Sequence, residues 1–148
     1  MNTIFFVIHV ALAVFIVGPM VTLPMTALRA IRAGHTQTVQ TLTTPTRIFT
    51  YLSIAIALIG FAVVGTTSTD DNFKVSTPWI LTSIILYVVA LGVALFVVVP
   101  SLSAAGTAMA ESKDPVAAGA KYRGRLAASS GIVSLLLLVI VVLMVWQP

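Results

Sequence analysis

Four stretches of this chain, at about residues 4–25, 48–67, 79–99 and 126–146, contain no Asp, Glu, Lys or Arg. At ~1.5 Å rise per residue, a helical run of roughly 20 residues crosses the ~30 Å hydrocarbon layer of a bilayer. Backbone polar groups in that layer must be satisfied internally, and an α-helix does so within one segment. The pattern predicts an all-α membrane protein with four transmembrane helices in an antiparallel bundle, a single four-helix domain over residues 1–148. The connections at 26–47 and 100–125 are expected as cytoplasmic loops. Only 8% of the residues are charged and 59% are hydrophobic, whereas a soluble domain carries roughly 25% charged residues.

The cations give the orientation. Arg29, Arg32 and Arg47 lie between spans one and two, and Lys113, Lys121, Arg123 and Arg125 between spans three and four. Lys74 alone lies between spans two and three, beside Asp70 and Asp71. By the positive-inside rule both basic connections face the cytoplasm and both termini lie outside. The first span is read as retained, because its arginines follow the apolar run rather than precede it. Trp79 and Trp146 then fall at the outer interface, where indole rings are enriched. The net charge of +4 is an orientation signal and does not point to nucleic acid.

Helix starts are written as Thr44-Pro45, Thr77-Pro78 and Asp114-Pro115: a capping side chain before a proline, whose missing N–H has no intrahelical partner at the first position. Span two is expected to start near Pro45, span three near Pro78 and the last helix near Pro115. Span one should continue as helix through Arg32 and end at Gly34, leaving 34–44 as an interfacial helix or a loop. Pro24 and Arg47 are separated by the same interval as Pro100 and Arg123, a faint repeat that suggests two tandem helical hairpins.

Few side chains could carry chemistry. Cysteine is absent, so thiolate metal sites and disulfides are excluded. His9 is the one strongly polar ionisable group inside a span, ~8 Å below the outer boundary by helical rise. The reading favoured for it is a neutral imidazole held by another helix, with Ser83 and Tyr87 at comparable depth as partners. A bis-histidine haem fails because His35 lies near the opposite boundary, and no acidic residue within a span offers a proton relay. Gly18, Pro19 and Pro24 should bend span one. Ala127 and Gly131 form a small-xxx-small pair suited to close helix packing. Ser53, Ala57 and Gly60, with Ala90, Gly92 and Ala94, mark further packing surfaces. Arg29, Arg32, Arg47, Lys121, Arg123 and Arg125 are placed to meet lipid headgroups or a partner subunit. No nucleophile–base pair, carboxylate pair, phosphate loop or metal spacing is present, and the chain reads as a non-enzyme without a cofactor.

The opening, Phe6 and His9 followed by Ala11, Ala13, Gly18-Pro19 and Pro24, then Arg29 and Arg32, is similar to the start of small bacterial four-helix membrane proteins. Over its whole length and topology the chain resembles the prokaryotic respiratory supercomplex association factor of actinobacteria, a four-helix subunit found between the cytochrome bcc complex and the aa3-type oxidase. The resemblance implies a multi-pass protein of the bacterial plasma membrane that bridges or stabilises these redox subunits, with phospholipid at the seams and no catalytic residues of its own. Two other classes stay open at this point: a small transporter or channel, and a haem- or copper-handling protein built on His9.

Overall fold

The computed structural model describes residues 3–66, 74–146 and 148. Five α-helices form four long rods: α1 (Thr3–Ala33), α2 (Thr36–Thr66), α3 (Pro78–Val93) continued through a π-helical stretch (Ala94–Val98) into α4 (Val99–Glu111), and α5 (Pro115–Trp146). Each rod is long and apolar enough to cross a membrane. Four transmembrane helices are thus in place; the last residue expected in span two, Thr67, lies outside the described residues. The rods have 31, 31, 34 and 32 residues, or about 46–51 Å at ~1.5 Å per residue. That is longer than the ~30 Å hydrocarbon layer requires, so part of every rod stands beyond it.

The connections expected at 26–47 and 100–125 are largely helical. α1 reaches Ala33 and is closed by Gly34, whose φ of 74° lies in the left-handed region. Gly34 N donates to Ile31 O at 3.2 Å and His35 N to Ala30 O at 2.9 Å, the paired bonds of a Schellman turn. α2 then begins at Thr36, not Pro45, and the segment 34–44 is mostly its first turns. Two physical facts override the proline. Pro45 removes a single backbone bond, and the hydroxyls of Thr41, Thr43 and Thr46 each donate to the carbonyl four residues earlier. Val39 and Thr46 are also buried on either side of Pro45, so packing draws the whole segment into the helix.

The other two starts fall at Pro78 and Pro115. Asp114 caps α5, its Oδ1 accepting from Ala117 N at 3.2 Å. Thr77 makes no side-chain cap; its carbonyl instead accepts from Leu81 N at 3.0 Å. Pro100 would break an α-helical ladder, because it lacks an N–H and its ring meets the carbonyl four residues back. The π stretch lies immediately before it, with Val99 N bonded to Ala94 O. A wider turn is a recognised way to absorb such a break.

The rods form a ring in chain order: α1 packs on α2 and α5, α2 on α4, and α5 on both α3 and α4. Buried residues recur at Met20, Pro24, Ala27 and Ile31 of α1, at Val98, Leu102, Ala105 and Met109 across the π stretch and α4, and at Leu126, Ser130, Val133 and Leu137 of α5. These alternating steps of four and three are the seam pattern of left-handed helix bundles. The two hairpins, α1–α2 and α3/α4–α5, turn at the same end of the ring, at Gly34 and at 112–114. That end, the basic end, carries Arg29, Arg32, Arg47, Lys113, Lys121, Arg123 and Arg125; the opposite, terminal end carries Thr3, where α1 begins, and Trp146, where α5 ends.

Trp79 stands at the start of α3, at the terminal end, but does not face outward. It is 7% exposed and packs inside the ring, whereas Trp146 is 74% exposed. The bulk of an indole at the start of α3 is used as core at the terminal end, and only Trp146 is free to face an interface.

Candidate functional site

His9 lies in the second turn of α1, half-buried against α2. Gly60 makes room for it. A Cβ at Gly60 would stand 2.9 Å from His9 Cε1, 3.5 Å from Nδ1 and 3.6 Å from Nε2. The imidazole also lies close to the backbone of Ile56, one turn earlier on α2. Nδ1 is buried and has no hydrogen-bond partner.

Ser83 and Tyr87 are not the partners of His9, which corrects the sequence expectation. Ser83 Oγ donates to Trp79 O of its own helix at 2.8 Å. Tyr87 Oη and Ser53 Oγ are 2.9 Å apart across α3 and α2. Because Ser53 Oγ already donates to Thr50 O at 2.7 Å, the tyrosine O–H is the donor in that pair. The physical reason is topological: α1 packs on α2 and α5, so the glycine notch and the backbone within reach of His9 belong to α2. A histidine in a span announces a polar contact; the ring order that selects its partner is not written around it.

Four further buried hydroxyls bond within their own helices. Thr46, Thr50, Ser129 and Ser130 donate to carbonyls three or four residues earlier. Such bonds let polar side chains enter a bundle without leaving unsatisfied groups.

The α1 residues expected to bend the helix lie within an unbroken helical run. Gly18 is exposed with open space around it, and Pro24 is buried. Thr22 Oγ1 donates to Gly18 O at 3.1 Å, and Thr26 Oγ1 to Thr22 O at 2.9 Å, so hydroxyls reinforce the stretch where Pro19 and Pro24 remove backbone donors.

The pair Ala127 and Gly131 does not form a close helix contact in this chain. Both are half-buried, and a Cβ at Gly131 would meet nothing within 4 Å. The tight approaches lie one face over and nearer the basic end. A Cβ at Gly119 would stand 2.7 Å from Ile31 Cγ2 and 3.0 Å from Met109 Sδ, and one at Gly106 would stand 3.2 Å from Gln40 Cγ. Gly119 shares the buried stripe of α5 with Leu126 and Val133 at steps of seven. That phase, rather than the small-xxx-small spacing, is the sequence signal that marks it.

At the basic end Arg29, Arg32, Arg47, Lys121 and Arg125 are exposed and Arg123 is half-buried. Lys121 Nζ lies 5.8 Å from the Tyr122 ring centre, within cation–π range. These six charges therefore ride on helix surfaces around a packed core, while Lys113 lies in the turn at 112–114.

No curated protein and no solved structure matches the chain. A family match extends over residues 3–148, the whole ring of helices just described. The charge-free spans, the four membrane-length rods and this match lead to one conclusion: the chain belongs to the DUF2269 family of predicted integral membrane proteins.

Proposed function

We propose that this protein is a non-catalytic accessory subunit of a larger membrane complex, and that it bridges or stabilises the actinobacterial respiratory bcc–aa3 supercomplex whose association factor its sequence resembles. The observation that carries the reading is the uneven cover of α1. Thr3–Pro19 contains no buried residue, while Ile4, Val7, Val14 and Phe15 are all more than half exposed. Of its most apolar window only 6% is buried, against 22% in each of the other rods. The terminal half of α1 thus offers a helix face to neighbours in the bilayer, on a ring already closed at its basic end.

In this reading the protein sits in the bacterial plasma membrane, with the basic end cytoplasmic and both termini outside, as the positive-inside rule orients it. Arg29, Arg32, Arg47, Lys121, Arg123 and Arg125 meet phospholipid headgroups and acidic loops of the partner subunits. Helix docking within a bilayer relies on packing and a few hydrogen bonds, since lipid tails are as apolar as the helix surface. A broad apolar face therefore docks only on a partner of matching shape.

The test is native purification in a mild detergent through a tag on this chain. The eluate should carry haem absorbance and the bcc and oxidase subunits. Elution of the chain alone, with those cytochromes left in the flow-through, defeats the proposal.

A further inference from the structure

The positive-inside rule asks that cations gather at the cytoplasmic end, but it is indifferent to which side of a bundle carries them. Here the α1–α5 seam is favoured. A Cβ at Gly34 would stand 2.9 Å from Val116 Cγ2, and one at Gly119 would stand 2.7 Å from Ile31 Cγ2. These two approaches fix an antiparallel register that sets Arg29 level with Lys121 and Ala27 level with Arg123. Arg123 follows Gly119 by four residues and Val116 by seven, so it continues the stripe of α5 that meets α1. Arg29, Arg32 and Arg123 thus fall within about 8 Å of one another in height, at ~1.5 Å per residue. Arg47 stands across the ring. It follows Gln40, whose Nε2 donates to Gly106 O of α4, by seven residues, and so belongs to the α2–α4 seam.

Arg123 is half-buried, yet none of its nitrogens is closed off from the surface. Its alkyl stem is covered and its guanidinium stays open. Among the described residues no carboxylate pairs with Arg29, Arg32 or Arg123, although Glu111 and Asp114 stand at the same end. Each guanidinium is a planar fork of five donors that matches the oxygens of a phosphate.

We propose that the α1–α5 seam at the basic end is a binding site for one anionic phospholipid, its phosphate held by Arg123 with Arg29 and Arg32. Lys121, level with Arg29, adds a cation at the rim. The surface for the acyl chains is continuous with these arginines. Met25 and Phe15, four and fourteen residues before Arg29, are 45% and 75% exposed on the same face of α1. That continuity favours a lipid over free phosphate, and basic pockets between membrane helices on the cytoplasmic side are suited to anionic headgroups. A zwitterionic headgroup brings its own cation, which the arginines repel. The site needs no partner subunit, so it stands or falls apart from the accessory-subunit reading.

The test uses the full chain alone, stripped of lipid in a neutral detergent, titrated with phosphatidylglycerol and read by native mass spectrometry. One phosphatidylglycerol should be retained, phosphatidylcholine should bind more weakly, and an equal concentration of inorganic phosphate should not displace the bound lipid. Arg123→Gln should weaken retention about fivefold, and Arg29→Gln together with Arg32→Gln by at least as much. Arg29 and Arg32 are exposed, so the double variant reads the site even where Arg123→Gln disturbs packing. Arg47→Gln removes the same charge from the opposite seam and should change retention by less than about twofold, since salt screens it there.

The proposal is overturned if Arg47→Gln costs as much as the seam variants, because the attraction then belongs to the whole end. It is equally overturned if phosphatidylcholine binds as tightly as phosphatidylglycerol, if inorganic phosphate displaces the lipid, or if no lipid is retained.

Discussion

The two ends of the ring are built on different rules. At the basic end all four rods converge: Ile31, Val39, Leu102, Met109 and Leu126 are no more than 1% exposed, and Gly106 and Gly119 leave room for the side chains of Gln40, Ile31 and Met109. At the terminal end the contacts are fewer and more individual. One imidazole sits in one glycine notch, one tyrosine O–H reaches one serine, and Trp79 is buried at the start of α3. The contrast teaches that a membrane bundle need not be uniform. Interdigitated side chains hold one end, and a short set of polar contacts sets the geometry of the other.

Substitutions in pairs, one at each end, sharpen or break this contrast. The largest effect is expected from Leu102→Ala, which empties a fully enclosed site; truncations of this kind cost about 3 kcal/mol. Its counterpart Leu135→Ala removes a side chain that is 61% exposed and should stay within about 0.5 kcal/mol. Reversible unfolding in detergent measures both, and equal losses would erase the distinction. Next, Gly119→Ala drives a methyl into Ile31 and Met109 and should cost about 1–2 kcal/mol. Gly131→Ala meets open space and should be neutral or gain up to about 1 kcal/mol from helix propensity.

Smaller effects belong to the terminal end. Gly60→Ala presses on His9 and is expected to cost about 1 kcal/mol through overpacking. Combining it with His9→Ala should restore most of that loss, and a double-mutant cycle reads the coupling. Strict additivity would show that the notch does not hold the ring. Smallest is Tyr87→Phe, which deletes the bond to Ser53. Interhelical hydrogen bonds in bilayers average about 0.6 kcal/mol, and a change well above 1 kcal/mol would mean that the terminal end is more cooperative than its contacts indicate.

Charge depletion and helical rise were enough to read four rods, their order and two of the three proline starts, because lipid leaves the backbone no other choice in those segments. The start of α2 was hidden. Its Thr-rich opening looks like a loop, yet the hydroxyls bond back along the helix and Val39 is buried. Ala127 and Gly131 show the same gap from the other side. Small residues permit a close approach, but the phase of the whole stripe, through Gly119, Leu126 and Val133, determines where the approach occurs. His9 was legible as a polar group inside a span, while its neighbours Gly60 and Ile56 depended on the ring order of the helices.

The π stretch before Pro100 has an arithmetic consequence. Ala90, Ala94, Val98 and Leu102 point inward at steps of four, and an ordinary helix overshoots a full circle by about 40° at each such step. The wider turn takes up part of that overshoot, so the upper and lower portions of this rod agree on which side is inward. Removing one residue between 94 and 98, together with Pro100→Ala, would turn the wide segment into ordinary α-helix, because a π turn holds about one residue more than an α turn over the same arc. Leu102 and Met109 would then keep their facing toward the ring. The rod can thus lose a residue here without rotating, whereas the same deletion elsewhere in it would turn everything below by about 100°.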